Sequence, residues 1–205
     1  MDFLQLDLRP AFHDLLDPQG GFIRGAQIEF LNTAVRYYPE ESKVNIEHLN
    51  LINIISSTPR APFLKPFSWK ANVGLDRKRF TDNDRPLVGQ FNAGIGVSYD
   101  LLHSKSLISA FTEGSVLLSG RFDESIALGV GPGLNIFYDL TQQWRIGLSA
   151  RLLEFFQGIT QTTYDIVLSQ RLTLPNQSAL RLEVSRKREF GSSYTPAILS
   201  WQIYF

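Results

Sequence analysis

Apolar and polar residues alternate along most of this chain. Within residues 87–101, Leu87, Phe91, Ala93, Ile95, Val97 and Tyr99 share one parity, while Gln90, Asn92, Gly94, Gly96, Ser98 and Asp100 share the other. Successive side chains on a strand point to opposite faces, so the pattern predicts a strand with one apolar and one polar face. Residues 67–76 repeat it, with Phe67, Trp69, Ala71, Val73 and Leu75 set against Ser68, Lys70, Asn72, Gly74 and Asp76. Residues 126–138, 144–156, 161–173 and 178–190 follow, and the last stretch puts Ala197, Leu199, Trp201, Ile203 and Phe205 on one face. Residues 24–38 begin in phase, with Ala26, Ile28 and Phe30 against Gln27 and Glu29, then slip near Leu31 as at a bulge. Residues 43–57 and 107–120 fit either phase and are strands by position. All ten reach the roughly 9–11 residues a strand needs to cross a bilayer.

The connections between these segments are short and polar, as hairpin turns are. Successive strands therefore form an antiparallel up-and-down meander, and the last strand is expected to close on residues 24–38. An even strand number puts both chain ends on one side. That side is the periplasm for an outer-membrane barrel, so the turns at YPEES, TDNDRP, RFDES, around Gly158 and at EFGSS are expected to face outward, and those at TPRAPFLKP, LHSKS, DLTQQ and LPNQS to face the periplasm.

Alternation alone leaves open which face is inside. A soluble lipocalin-like barrel or β-sandwich buries the apolar face, whereas a membrane barrel turns it to lipid. Gly, Ser and Asn dominate the polar face and suit a narrow lumen. Aromatics gather near strand ends (Phe67, Trp69, Tyr99, Tyr138, Trp144, Phe155, Phe156, Trp201, Phe205), as in interfacial girdles. The expectation is an all-β, antiparallel, up-and-down transmembrane β-barrel of about ten strands over residues 24–205, in a bacterial outer membrane, preceded by a lead-in over residues 1–23. Its partners would be the lipid bilayer and the outer-membrane assembly machinery, which would read Trp201, Ile203 and Phe205 on the closing strand.

Composition narrows the chemistry. Formal net charge is zero over 205 residues, so nothing in the overall charge points to a nucleic-acid or anionic partner. The absence of cysteine excludes disulfides, thiolate metal sites and cysteine nucleophiles. No apolar run approaches the length of a spanning helix. The opening MDFLQLDLRP lacks the basic and apolar regions of a signal peptide, so the chain is expected to be a mature portion of an exported protein.

The chosen phasing places Glu29, Lys70, Asp76, Asp100, Glu113, Arg145, Arg151, Asp165, Arg171, Arg181 and Glu183 in the lumen. Their balanced signs predict an ion-paired polar plug rather than a selective pore. A turn symmetric about Gly158 sets Arg151 across from Asp165 for a cross-strand ion pair. The lumen glycines Gly94, Gly96, Gly129, Gly131 and Gly133 relieve strand coiling and crowding, or form a groove for a long side chain or the N-terminal segment. An omptin-like protease would need a second acidic pair containing His to match Asp82, Asn83 and Asp84, and none exists on another loop. His48 beside Glu47, His103 beside Ser104 and His13 beside Asp14 make no triad. No catalytic, metal-binding or cofactor-binding residue is expected.

Residues 1–23 differ from the rest, carrying Pro10, Pro18 and a short expected helix over residues 11–16. Here the stretch LRPAFHDLLDPQGGFIRGAQIEFLNTAVRYY, followed by LNLINIISSTPRAPFLKPFSWKANVGLDR, resembles the C-terminal domain of large proteobacterial proteins of unknown function. The N-terminal part of those proteins is similar to the Lnb family of lipoprotein N-acyltransferase-like proteins. The resemblance is strong over about residues 6–80 and architectural beyond. It implies a barrel that tethers a periplasmic domain of the same polypeptide to the outer membrane. It carries over no catalytic residue, because the Cys and His of that activity belong to the other domain. Arg9, His13, Asp14 and Asp17 would lock the lead-in to the first strand. The alternative function is a small outer-membrane channel for solutes or lipid-like ligands.

Overall fold

The computed structural model describes residues 2–17, 24–82, 84–102 and 105–204. Its strands are β1 (Leu4–Leu8), β2 (Ala11–His13), β3 (Ala26–Tyr38), β4 (Lys43–Ser56), β5 (Ser68–Arg77), β6 (Leu87–Leu101), β7 (Ser106–Leu118), β8 (Ile126–Asp139), β9 (Trp144–Gln157), β10 (Gln161–Leu174), β11 (Ser178–Glu189), β12 (Ser192–Tyr194) and β13 (Ala197–Ile203). All belong to one curled antiparallel sheet in which β3 to β11 pair in chain order. The all-β, up-and-down expectation therefore stands, with each of the ten expected strands in place.

The two edges differ from expectation. β13 pairs with β11 and not with β3. The outer edge of β3 is held by the lead-in, with Leu4 across from Tyr37 in β1 and His13 across from Ile28 in β2. Residues 11–13 are thus strand rather than the start of a helix, and a turn closed by Asp17 N–H on Asp14 O follows them. β1 and β2 share one place beside β3, and β12 and β13 share one beside β11. The described residues therefore fill eleven places, not ten. An odd number sends the termini to opposite ends. Leu4 lies near the turn at residues 39–42, while the Tyr204 N–H donates to Gln177 O at the other end. The first end carries the loops at residues 39–42, 78–86, 119–125, 158–160 and 190–191, and the second those at 57–67, 140–143 and 175–177.

The lead-in follows the same alternation as the wall. Leu4, Leu6 and Leu8 face outward and exposed, while Gln5 donates to Asp7 and accepts from Arg36 on the other face. Phases predicted for β5, β6, β8, β9, β10, β11 and β13 hold. Leu134, Leu148, Leu168, Val184 and Trp201 lie on the outer surface, and Ser68, Asn92, Asn135, Arg145 and Ser169 are buried within. The slip in β3 is real. Leu31 sits at φ 51° and is left out of the β3–β4 register, so Phe30 and Leu31 both face out. β4 is irregular at two places, where Glu47 is skipped against β3 and Leu51 against β5.

The apolar core sits at the two ends of the interior and not in its middle. At the first end, Phe80, Phe122 and Phe190 from three loops join Val88, Leu117, Ala127, Leu153 and Phe155 from the wall, with Phe80 stacked on Phe190 at 4.8 Å between centroids. Phe155, expected in an outer girdle, is therefore inside. At the second end, Leu15 and Leu16 of the lead-in turn pack on Leu107 and Phe137, with Ile55 against them. Both clusters would be reached first by anything moving along the interior.

Candidate functional site

Between the two apolar stoppers lies a polar cavity of about 360 Å³. It is lined by Glu29, Lys70, Glu113, Arg151, Asp165, Arg181 and Glu183, all assigned to the interior from the sequence, together with Arg9, Asp14 and His48. Four expected members lie outside it: Asp76 pairs with Lys78, Asp100 with Arg24 at 3.1 Å and Arg171 with Asp17, while Arg145 is held toward the second end by Asp139 at 3.5 Å and lies over the Phe137 ring.

Most of these charges are positioned by strand parity and paired with a neighbour of opposite sign. Lys70 on β5 reaches across β6 to Glu113 on β7, at 2.7 Å. The strand between carries Gly94, whose missing side chain leaves room for both. Gly133 on the far side of Glu113 does the same, since a Cβ there would lie 1.8 Å from Glu113 Oε1. These glycines thus form the groove that receives a long side chain. Glu29 accepts from Asn53 Nδ2 at 2.7 Å. Arg151 and Asp165 stand directly opposite each other in the β9–β10 register, as expected. The expected ion pair does not form, because Asp165 turns to its other cross-strand neighbour, Lys187, at 3.2 Å.

The lead-in turn completes the network, with a correction to its expected role. Backbone pairing of β2 ties it to the first long strand, but its carboxylates bind the last ones. Asp14 pairs with Arg181 on β11, which also holds Glu183 at 3.1 Å. Asp17 pairs with Arg171 on β10 at 3.2 Å and accepts from the Tyr204 hydroxyl at 3.1 Å. His13 is buried in β2, and Arg9 lines the cavity. Burial alone would raise the Asp14 carboxyl, but Arg181, Arg9 and the Leu16 N–H hold it below the ordinary carboxylate range. Asp17 goes the other way: burial and then the Asp14 charge raise it, and its own hydrogen bonds and Arg171 do not offset them.

Two clusters at the first end extend the expected network, which held only Asp76 among their members. Glu47 receives Arg36 at 3.0 Å, Arg85 at 2.7 Å and the Tyr38 hydroxyl at 3.0 Å. Lys78 binds Asp76 and, at 3.5 Å, Glu189, and these acids hold its ammonium up at about 12 against the effect of burial. Glu189 and Lys187 continue the inward parity of Arg181 and Glu183, a signal already present in the sequence. The β4 irregularity hid Glu47, and Lys78 lies in a loop where no periodicity applies.

The histidine and aspartate candidates have ordinary roles. Asp82 and Asp84 both face Arg121 in an exposed loop, and His48 hydrogen-bonds Asn32 at 3.2 Å. Asn83, His103, Ser104 and Phe205 lie outside the described residues. Among the described residues no three His, Cys, Asp or Glu side chains gather to hold a metal ion. What the arrangement does chemically is to line the interior with mostly paired charges between two apolar clusters.

No curated protein and no solved structure matches the chain. Residues 1–204, lead-in and curled sheet together, match one family, described as "Domain of unknown function (DUF7840)", and the chain belongs to it.

Proposed function

We propose that this chain is an occluded β-barrel of the bacterial outer membrane, serving as anchor and scaffold for a periplasmic Lnb-like domain joined ahead of it. The observation that carries the reading is the inversion of the sheet. Carboxylates and guanidiniums are buried within, while Leu6, Phe30, Phe91, Ile95, Leu168, Leu199 and Trp201 cover the outside. Water tolerates contiguous apolar patches of only a few hundred Å² on a monomer. Hydrocarbon solvates such a surface, and each strand from β3 to β11 is paired on both sides, as a backbone facing lipid requires. The two apolar stoppers favour an anchor over a channel for solutes or lipid-like ligands, because each end would have to open before anything passed.

Orientation follows from the odd strand number. The chain enters at the first end, so an upstream periplasmic domain requires that end to face the periplasm. Assembly machinery reading Trp201, Ile203 and Phe205 from the periplasm would require the second end there instead. The cysteine-free sequence allows a direct test with single cysteines at Asp82 and Lys65, one at each end, labelled in intact cells with an impermeant maleimide. The anchor reading expects Lys65→Cys to label and Asp82→Cys to stay protected. The reverse pattern would defeat a periplasmic anchor, and recovery of the chain in buffer without detergent would defeat the membrane barrel altogether.

A further inference from the structure

The outward parity of β11 runs Leu180, Leu182, Val184, Arg186, Arg188 from the second end to the first. Its first three members lie beside Trp201, Leu199 and Ala197 of β13, an apolar stripe. The last two break it with guanidiniums, and both are exposed. Arg186 stands across from Ile166 and donates to Thr195 Oγ1 at 2.9 Å, while Arg188 stands between Tyr164 on β10 and Ser193 on β12. The neighbouring charges Lys187 and Glu189 point inward to Asp165 and Lys78. The outward acid nearest by register, Glu154, is two strands away across from Thr162. Two arginines, two hydroxyl side chains and a tyrosine thus share one outward patch with no acid among them.

We propose that Arg186 and Arg188 form a binding site for the phosphate of a membrane lipid, with Ser193 and Thr195 at its edge and the lipid tails laid along the Leu180–Val184 stripe. The inference rests on the membrane-barrel reading. An arginine facing lipid costs about 2–4 kcal/mol at the bilayer midplane and almost nothing at the interface. The pair therefore belongs at headgroup level, where long side chains snorkel and guanidiniums meet phosphate in bidentate geometry. From Arg186 to Leu180 the strand extends roughly 20 Å at about 3.3 Å per residue, comparable to one extended acyl chain.

The test uses the whole chain in detergent, titrated with phosphatidylglycerol or phosphatidylcholine and read by native mass spectrometry. The unaltered protein should prefer phosphatidylglycerol, and Arg186→Gln/Arg188→Gln should weaken that binding about tenfold. Arg186→Lys/Arg188→Lys should recover part of it, and a charge-matched control at the second end, Lys65→Gln/Lys105→Gln, should leave it unchanged. Undiminished binding in the double glutamine variant would overturn the site, as would an equal loss in the control. Equal binding of glycerophosphoglycerol without tails would also overturn it, by showing an anion site and not a lipid site. Flotation of the unaltered protein with phosphatidylcholine vesicles is read alongside. Failure to float would bring down the barrel reading itself, whereas flotation with unchanged phosphatidylglycerol binding in the variant would bring down only this inference.

Discussion

The Asp14 carboxylate and the Arg181 guanidinium are bonded to each other although 167 positions separate them in the chain. Among the described residues β2 and β13 have no backbone pairing with each other, so this pair and the Asp17–Arg171–Tyr204 group hold the two edges of the curled sheet together by side chains. Asp14 is buried and Arg181 is largely so. Breaking a buried pair leaves one charge without compensation, which costs more than the pair itself contributes.

Asp14→Asn should therefore destabilise the chain by about 2–4 kcal/mol, with Glu183 left to compensate Arg181 in part. Asp17→Asn should cost far less, because burial and the Asp14 charge already disfavour the ionised Asp17. The pH dependence has two limbs. Asp14 is lowered, so its contribution is present above the ordinary carboxylate range and is lost as pH falls through its lowered value. Asp17 is raised, so its contribution is complete below the ordinary range and is lost as pH rises through its raised value. Urea unfolding in detergent as a function of pH should show stability rising slightly on mild acidification and then falling. Asp17→Asn should remove only the rise. Equal losses from both variants would contradict the assignment of roles.

Strand positions and most phases were legible because one parity of each strand meets one environment. β7 resisted because its inner face carries Leu107, Phe111 and Leu117 among Ser109, Glu113 and Ser115, two of these leucines being stopper residues. β4 resisted because Leu51 and Ile52 both face out around an irregularity, so no single parity describes it. The lead-in carried a readable signal in Leu4, Leu6 and Leu8 against Gln5, Asp7 and Arg9, masked by Pro10 and by its shortness. Which edge strand pairs with β3 was not legible, since β1–β2 and β13 run in the same direction and offer β3 similar alternation.

The choice Asp165 makes between two cross-strand cations gives a second prediction. Lys187→Met leaves Asp165 facing Arg151, directly opposite in register, so Arg151 should take over the ion pair and limit the loss to about 1 kcal/mol. Arg151→Gln alone should be close to neutral. The double variant should then cost clearly more than the two single changes together, a coupling that a double-mutant cycle measures. Additive losses would mean that Arg151 cannot reach the carboxylate.

Glu113 is the least exposed of the interior acids, and Gly133 is the residue that makes room for it. A Cβ at position 133 would meet Glu113 Oε1 at 1.8 Å, so Gly133→Ala must push the carboxylate off Lys70. The expected loss is about 1–3 kcal/mol, the range for overpacking a filled interior. Glu113→Ala, itself destabilising, should make the further change to Gly133→Ala almost free. If alanine at 133 costs the same with and without Glu113, its effect comes from the backbone and not from the carboxylate.

The two stoppers act in series, and that sets what each can do alone. At the first end three phenylalanines from loops close on Phe155, and at the second Leu15 and Leu16 close on Phe137. Opening one end leaves the other sealed, so planar-bilayer recordings of Leu15→Ser/Leu16→Ser should stay as silent as the unaltered chain, and so should those of Phe122→Ser/Phe190→Ser. Only the four changes together connect the polar cavity to both sides, and that variant should show discrete conductance steps. The balanced charges on the cavity wall predict weak preference between small cations and anions. Steps of full size from either pair alone would show that the other end does not seal, and would move the protein from anchor toward channel.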